Sequence, residues 1–271
     1  MTYHIEFPGL GIGFDISPIA FTIGTFSVYW YGILVATGCI LGIIYCMRQC
    51  KRYDVNEDNL LNCIMGGLVC AIVGARLYYV VFRFDSFKGD LLSILNIHNG
   101  GLAIYGGLIG AVTGGMIAAK KQKMKMLTVM DIAVMGFLIG QGIGRWGNFV
   151  NQEAFGTQTD LPWRMVSENT GGVGVHPCFL YESIWCLTGF VLLHILSRKK
   201  ECFDGEIFFL YMVWYGFERM LVEGLRTDSL YLPFANIRVS QLISALIFLA
   251  GITLIIIFRK KNKPQTLKVE S

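Results

Sequence analysis

Residues 144–156 read GRWGNFVNQEAFG and follow directly on the apolar run DIAVMGFLIGQGI. Within that stretch Arg145, Asn148, Asn151, Gln152 and Glu153 crowd polar chemistry against a segment that otherwise belongs in hydrocarbon. Arg145, Asn148 and Gln152 repeat at three and four, so they share a helix face if the helix continues through them. A second set lies in WYGFERMLVEGLR, where Tyr215, Arg219, Glu223 and Arg226 are spaced four, four and three, again one helix face. Paired arginines with tyrosines suit bidentate recognition of a phosphate or carboxylate. With no GxSxG nucleophile and no metal-ligand spacing in the chain, the chemistry they favour is electrostatic: holding a phosphate and stabilising it as a leaving group.

Three other segments bring polar groups to the same place. Tyr31 stands in VYWYGILV, Tyr105 in AIYGGL, and HPCFLYES contributes His176, Tyr181 and Glu182. Each has a plainer reading: interfacial aromatic anchors for the tyrosines, a local loop contact for His176, an internal ion pair for Arg219 and Glu223, helix capping for Asn148 and Asn151. Five segments that converge on one leaflet argue for a site.

The elements that must position these groups are membrane spans. The chain has 271 residues, 54% hydrophobic and 15% charged, with a mean hydropathy of +0.54. Soluble domains carry about a quarter charged residues. Seven runs approach the roughly 20 apolar residues that a span needs: 24–47, 60–82, 101–119, 128–144, 177–196, 205–224 and 239–258. Of the 23 lysines and arginines, 15 fall in MRQCKR, KKQKMK, SRKKE and the tail after the last span, all on one side. The positive-inside rule makes that side cytoplasmic. The expected fold is therefore an all-α polytopic membrane protein of about seven transmembrane helices, N-terminus outside and C-terminus cytoplasmic. It forms a single domain over 1–271, with an extracytoplasmic loop at 145–176 and a basic tail at 259–271.

Seven of the eight remaining basic residues are arginine. By chain direction Arg76, Arg145, Arg219 and Arg226 lie toward the outer ends of their spans, where a central arginine would cost about 2.5–3.5 kcal/mol to insert. Gly106, Gly110 and Gly114, four residues apart, form a close-packing face on the third span. GIGRWG at 142–147 fits GxGxxG, but no strand precedes it and no dinucleotide site is expected. The eight cysteines form no CxxC pair, so neither a disulfide framework nor a metal site is expected. The N-terminal segment carries Glu6 and Asp15 and no basic n-region, unlike a cleavable signal peptide. Basic residues in short clusters without aromatic interleaving exclude a nucleic-acid partner.

GRWGNFVNQEAFG resembles the signature of the phosphatidylglycerol–prolipoprotein diacylglyceryl transferases, bacterial enzymes of lipoprotein maturation. The likeness extends over most of the chain through WYG in the first span, GGLAIYGGLIG in the third, HPCFLYE before the fifth and YGFERMLVEGLR in the sixth. It implies transfer of the diacylglyceryl group of phosphatidylglycerol to the lipobox cysteine of a prolipoprotein signal peptide, giving a thioether and glycerol phosphate without a cofactor. It implies a multi-pass protein of the bacterial cytoplasmic membrane with its site on the extracytoplasmic side, among membrane lipids.

By the same resemblance Arg145 and Arg219 stand as the two essential arginines. Asn148, Glu153 and Gly156 complete the first motif, Tyr31 matches the first-span tyrosine, and Tyr215, Glu223 and Arg226 match the sixth-span set. Many members carry His-Gly-Gly-Leu in the third span, with that histidine assigned as a base. Here Tyr105 takes the position, and His98 is not aligned to replace it. Two rival classes are an anion or lipid transporter or channel with an Arg-lined outer cavity, and an intramembrane protease. The first calls for polar residues through both leaflets, the second for a Ser–His or paired-Asp arrangement that the sequence lacks.

Overall fold

The structure is a computed structural model and describes residues 2–87, 90–96, 100–199, 202–232 and 235–261. In chain order its elements are β1 (Tyr3–Phe7), β2 (Ile12–Ile16), β3 (Ile19–Ile23), β4 (Phe26–Tyr29), α1 (Trp30–Gln49), α2 (Glu57–Phe82), α3 (Ile104–Lys121), α4 (Met126–Asn151), β5 (Val166–Ser167), α5 (Cys178–Lys199), α6 (Glu206–Leu225), β6 (Tyr231–Leu232), β7 (Ala235–Arg238) and α7 (Val239–Lys261). The chain is mostly helical, and the expectation of an all-α protein is corrected by these short strands. Five helices, α1, α2, α4, α5 and α7, are long and apolar enough to cross a membrane. α3, at 18 residues, ends in Lys120 and Lys121, and α6 carries Glu206, Glu218, Arg219 and Glu223. Large apolar side chains such as Val81, Ile109 and Leu246 stand exposed, as lipid-facing residues do.

Helix α1 begins at Trp30, later than the residue 24 expected for the first span, because β3 and β4 form a hairpin there. Ile23 pairs with Phe26 across Gly24-Thr25, and Gly24 takes a left-handed φ of 60° that the tight turn requires. Most of its residues are apolar, β-branched or aromatic, so hydropathy alone fuses the hairpin with the helix after it.

The chain divides into two compact units, Met1–Cys46 with Asp131–Val269, and Met47–Met130. In the first, α1 and α4 approach backbone to backbone: a Cβ added at Gly42 would lie 2.6 Å from the Gly136 carbonyl oxygen. Such contacts drive helix association in lipid, where burial of apolar surface contributes little. Asp131 of α4 caps α6 from outside it, its carboxylate accepting from the backbone N–H of Gly205 at 2.7 Å and of Phe208 at 2.8 Å. Beyond the helix ends, the antiparallel sheet β2-β1-β5 covers a small core of Ile5, Phe149, Val150, Met165, Val175 and Phe179.

The second unit is dominated by α2 packed on α3. The expected glycine face does the packing: a Cβ at Gly110 would fall 2.0 Å from the Cys70 carbonyl oxygen, and one at Gly114 2.5 Å from that of Gly66. Arg76 donates to the carbonyls of Ser93, Ile94, Gly100 and Gly101 at 2.8–3.0 Å, tying the connection before α3 to α2. Its guanidinium is thus engaged in structure.

Candidate active site

The GRWGNFVNQEAFG stretch folds as the last turns of α4 and a tight reversal. α4 runs to Asn151, past the expected end at residue 144, which puts Arg145 and Asn148 inside the helix. Gln152 then adopts φ 53°, its N–H bonding the Phe149 carbonyl while the Glu153 N–H bonds the Asn148 carbonyl. This 6→1 and 5→2 pair is a Schellman stop with glutamine where glycine is usual, a conformation that costs an L-residue about 1–2 kcal/mol. The expectation that Gln152 shares the face of Arg145 and Asn148 is therefore corrected. Its side chain is buried and turns back to the Phe149 carbonyl. The reversal instead returns Glu153 over the helix end, where its Oε1 accepts from Asn148 Nδ2 at 2.9 Å and Asn151 Nδ2 at 3.4 Å.

Gly156 follows in an extended bridge opposite Arg226, its N–H bonded to the His176 carbonyl at 2.9 Å. A Cβ there would meet His176 Cβ at 2.7 Å and Cys178 Sγ at 2.9 Å, so no larger residue fits. On the other side of α4 the ring of Tyr31 lies against Gly147, with Cδ2 2.5 Å from where a Cβ would stand. Tyr31 is 40% exposed.

The arginines meet on α5. Glu182, 2% exposed at its side chain, lies with Oε1 3.0 Å from Arg145 Nη2 and 2.9 Å from Arg219 Nη1. Arg219 also pairs along its own helix with Glu223, Nη2 to Oε2 at 2.6 Å. The internal pair expected as a plain reading is thus present, and a cross-helix pair is added to it. Both guanidiniums are largely buried, 19% and 14% exposed. Burying two charges in a span is tolerable only with partners of this kind.

Tyr215 stacks on Tyr211 with ring centroids 5.6 Å apart, and Tyr211 donates to Gln141 Oε1 of α4 at 3.3 Å. Arg226, the last of the sixth-span set, leaves the helix with ψ 145° and is clamped by Asp228 at 2.8 and 2.6 Å. The guanidinium holds the Asp228 carboxyl below the usual carboxylate range, the larger effect against a burial that pushes the other way. Arg238 donates to the Glu223 carbonyl and closes the free C-terminal end of α6.

His176 faces the Tyr181 hydroxyl at 3.2 Å, and Trp163 Nε1 donates to the same oxygen at 2.7 Å. Burial lowers the pKa of His176 below its ordinary value. The plain reading of a loop contact describes its geometry. Tyr105 belongs to the second unit, in the first turn of α3, and is exposed. His98 lies outside the described residues.

Two further residues are prominent in the site, Glu182, which the sequence brings there without a role, and Glu218, which sequence reasoning left out. Glu182 was visible as the glutamate of HPCFLYES, but only the fold makes it the partner of both arginines. Glu218, adjacent to Arg219, is 3% exposed, and its Oε1 has no hydrogen-bond partner. Its signal was a fourth charge in an apolar segment. Toward the opposite end of the helices, Asp131 and Glu206 are also buried, but Asp131 caps α6 and Glu206 pairs with Arg259 of α7. No cluster of His, Cys, Asp and Glu fit for a metal occurs among the described residues.

The family described as prolipoprotein diacylglyceryl transferase matches residues 18–257. A protein of Finegoldia magna named phosphatidylglycerol–prolipoprotein diacylglyceryl transferase is 44% identical over 243 residues, spanning 90% of this chain and 96% of its own. Proteins of the same name from Limosilactobacillus reuteri, 40% identical over 264 residues, and Clostridioides difficile, 41% over 245, cover 94% and 90% of the chain and 95% and 96% of their own lengths. Over nearly its whole length, with the arginine-bearing helices inside the matched region, the chain belongs to the prolipoprotein diacylglyceryl transferase family.

Proposed function

We propose that this protein transfers the diacylglyceryl group of phosphatidylglycerol to the lipobox cysteine thiol of prolipoproteins, the first step of bacterial lipoprotein maturation. The observation that carries the reading is the meeting of Arg145 and Arg219, from separate helices, on one buried carboxylate of α5. Two guanidiniums fixed around a single oxygen offer their remaining N–H groups to a tetrahedral anion with little reorganisation. The names of the relatives supply the two substrates.

The reaction is a displacement at carbon. The thiolate sulfur attacks the terminal glycerol carbon of the diacylglyceryl group, the carbon–oxygen bond to phosphate breaks, and the electron pair stays on the departing glycerol phosphate. Charge grows on the phosphate oxygens as that bond lengthens. Arg145 and Arg219 oppose it where water is scarce and electrostatic stabilisation is strong. Asn148, held by Glu153, and Tyr31, held against Gly147, line the approach from α4 and α1. Arg226, Tyr215 and Glu223 shape the α6 side, and Gly156 lets the chain pass close to Arg226. Tyr105 orients a substrate by hydrogen bonding.

All seven long helices act as spans of one transferase domain in the bacterial cytoplasmic membrane, with the N-terminus and the arginine cluster outside. The basic residues after α1, α3, α5 and α7 support that orientation. Labelling of a cysteine placed at position 265 from the cytoplasmic side alone is expected; labelling from outside alone would invert the topology. The activity itself is tested with purified protein, phosphatidylglycerol vesicles and a lipobox peptide. A peptide heavier by one diacylglyceryl group, formed only when its cysteine is present, is expected. Transfer to a serine peptide, or none at all, would sink the reading.

A further inference from the structure

The arginine cluster carries one carboxylate more than its cations require. Glu182 and Glu223 are ion-paired to Arg145 and Arg219, and Asp228 to Arg226, which leaves Glu218. Glu218 is buried, and its Oε1 has no hydrogen-bond partner among the described residues. A buried polar atom left open in this way is costly, by about 1–3 kcal/mol, and calls for an explanation in function. It sits three residues beyond Tyr215 and seven beyond Tyr211 on α6, the stripe whose Tyr211 meets Gln141 of α4.

The groups in electrostatic reach of Glu218 are Glu182 of α5, Arg145 of α4, and Arg219 and Arg226 of its own segment. The Cys186 thiol of α5 and the Tyr211 and Tyr215 phenols of α6 also feel its charge. α7, packed along α6, brings no charged group before Arg259.

The reaction has a proton to place. The lipobox thiol must lose it to become a nucleophile, and phenols are weak acceptors at neutral pH. Glu182 Oε1 lies between two guanidiniums, and Glu223 Oε2 is ion-paired with Arg219 at 2.6 Å. Glu218 has an oxygen without such a claim, beside the residues that hold the phosphate. We propose that the Glu218 carboxylate accepts the proton of the acceptor thiol. This rests on the assignment of the Arg145–Arg219 cluster as the head-group site.

In the step the S–H bond breaks and its proton passes to Glu218 Oε1. The S–C bond forms as the C–O bond to phosphate breaks, and the pair remains on the phosphate. The proton stays within the enzyme–substrate complex, so the charge Glu218 loses is the charge the departing phosphate gains, and the net charge of the complex does not change. Glu218 then returns the proton to water.

Glu218→Gln keeps the shape and removes the acceptor. Transfer from phosphatidylglycerol vesicles to a lipobox peptide is measured from pH 6 to 9, with vesicle binding measured separately. Near neutrality the variant's rate is expected to fall by about 10²–10⁴, the range of general-base contributions. It should then climb about tenfold per pH unit toward the thiol's own ionisation near 8.5, with lipid binding unchanged. Glu218→Asp should recover part of the neutral rate. A wild-type rate and profile in Glu218→Gln, or an equal loss at every pH, would overturn the proposal while inactive Arg145→Ala leaves the head-group site standing. Normal transfer by Arg145→Ala would take down both.

Discussion

Arg145 of α4 and Arg219 of α6 share one acceptor atom, Glu182 Oε1, at 3.0 and 2.9 Å. The two arginines lie on separate helices; Glu182 is the carboxylate paired with Arg145, and Arg219 divides its guanidinium between Glu182 and Glu223. Glu182 therefore positions both. Glu182→Ala is expected to leave the buried Arg145 without its counter-charge while Arg219 keeps Glu223, a change that destabilises by about 3–5 kcal/mol where buried pairs are broken. Glu182→Gln keeps an acceptor but not the charge and should lose less stability while still losing most transfer. Thermal unfolding in detergent and the transfer assay check the two effects; an unchanged melting temperature in Glu182→Ala would show that the arginines find other partners.

Arg145→Lys preserves one positive charge and removes the planar fork. Loss of one preorganised donor in comparable sites slows reactions by about 10²–10³. We expect a loss of that order in kcat, with the protein still inserted and folded by its unfolding profile. A rate within a few-fold of wild type would reduce Arg145 to a general cation.

Tyr105→Phe is expected to lower transfer only partially and to leave the pH–rate profile in place, because a hydroxyl that orients a substrate does not titrate with the reaction. The contrary result is specific. If Phe abolished transfer and Tyr105→His restored it with a new limb at the histidine value of about 6.5, proton transfer would belong to this position.

The Arg226–Asp228 clamp gives a stability effect with a definite pH window. Asp228 titrates below its ordinary value in the folded protein, so the clamp contributes fully above the unfolded aspartate pKa of about 3.9. The contribution declines as pH falls through the lower folded value. The melting-temperature difference between wild type and Asp228→Asn should thus be constant from pH 5 to 8 and shrink below pH 4. A difference that grows on acidification would refute the clamp.

Much of the framework is legible in residue types. The rhythm Gly106, Gly110, Gly114 announces the face that packs on α2, because only hydrogen lets two backbones approach to such distances. The spacing of Tyr215, Arg219 and Glu223 likewise implies the ion pair that the helix makes within itself. The β3–β4 hairpin was hidden because its apolar residues score like the span that follows. The stop after Asn151 was hidden because glutamine, unlike glycine, does not announce a left-handed turn.

The sequence by itself determined the solvent, the helices and the identity of the arginines, since hydropathy, charge and spacing act over a few residues along the chain. Tertiary structure alone decided that Glu182 joins Arg145 to Arg219 and that Glu218 is left with an open oxygen. A carboxylate's partner is set by which helices pack together and at what rotation. That choice depends on contacts between residues as distant as 145 and 219, for which no local pattern exists.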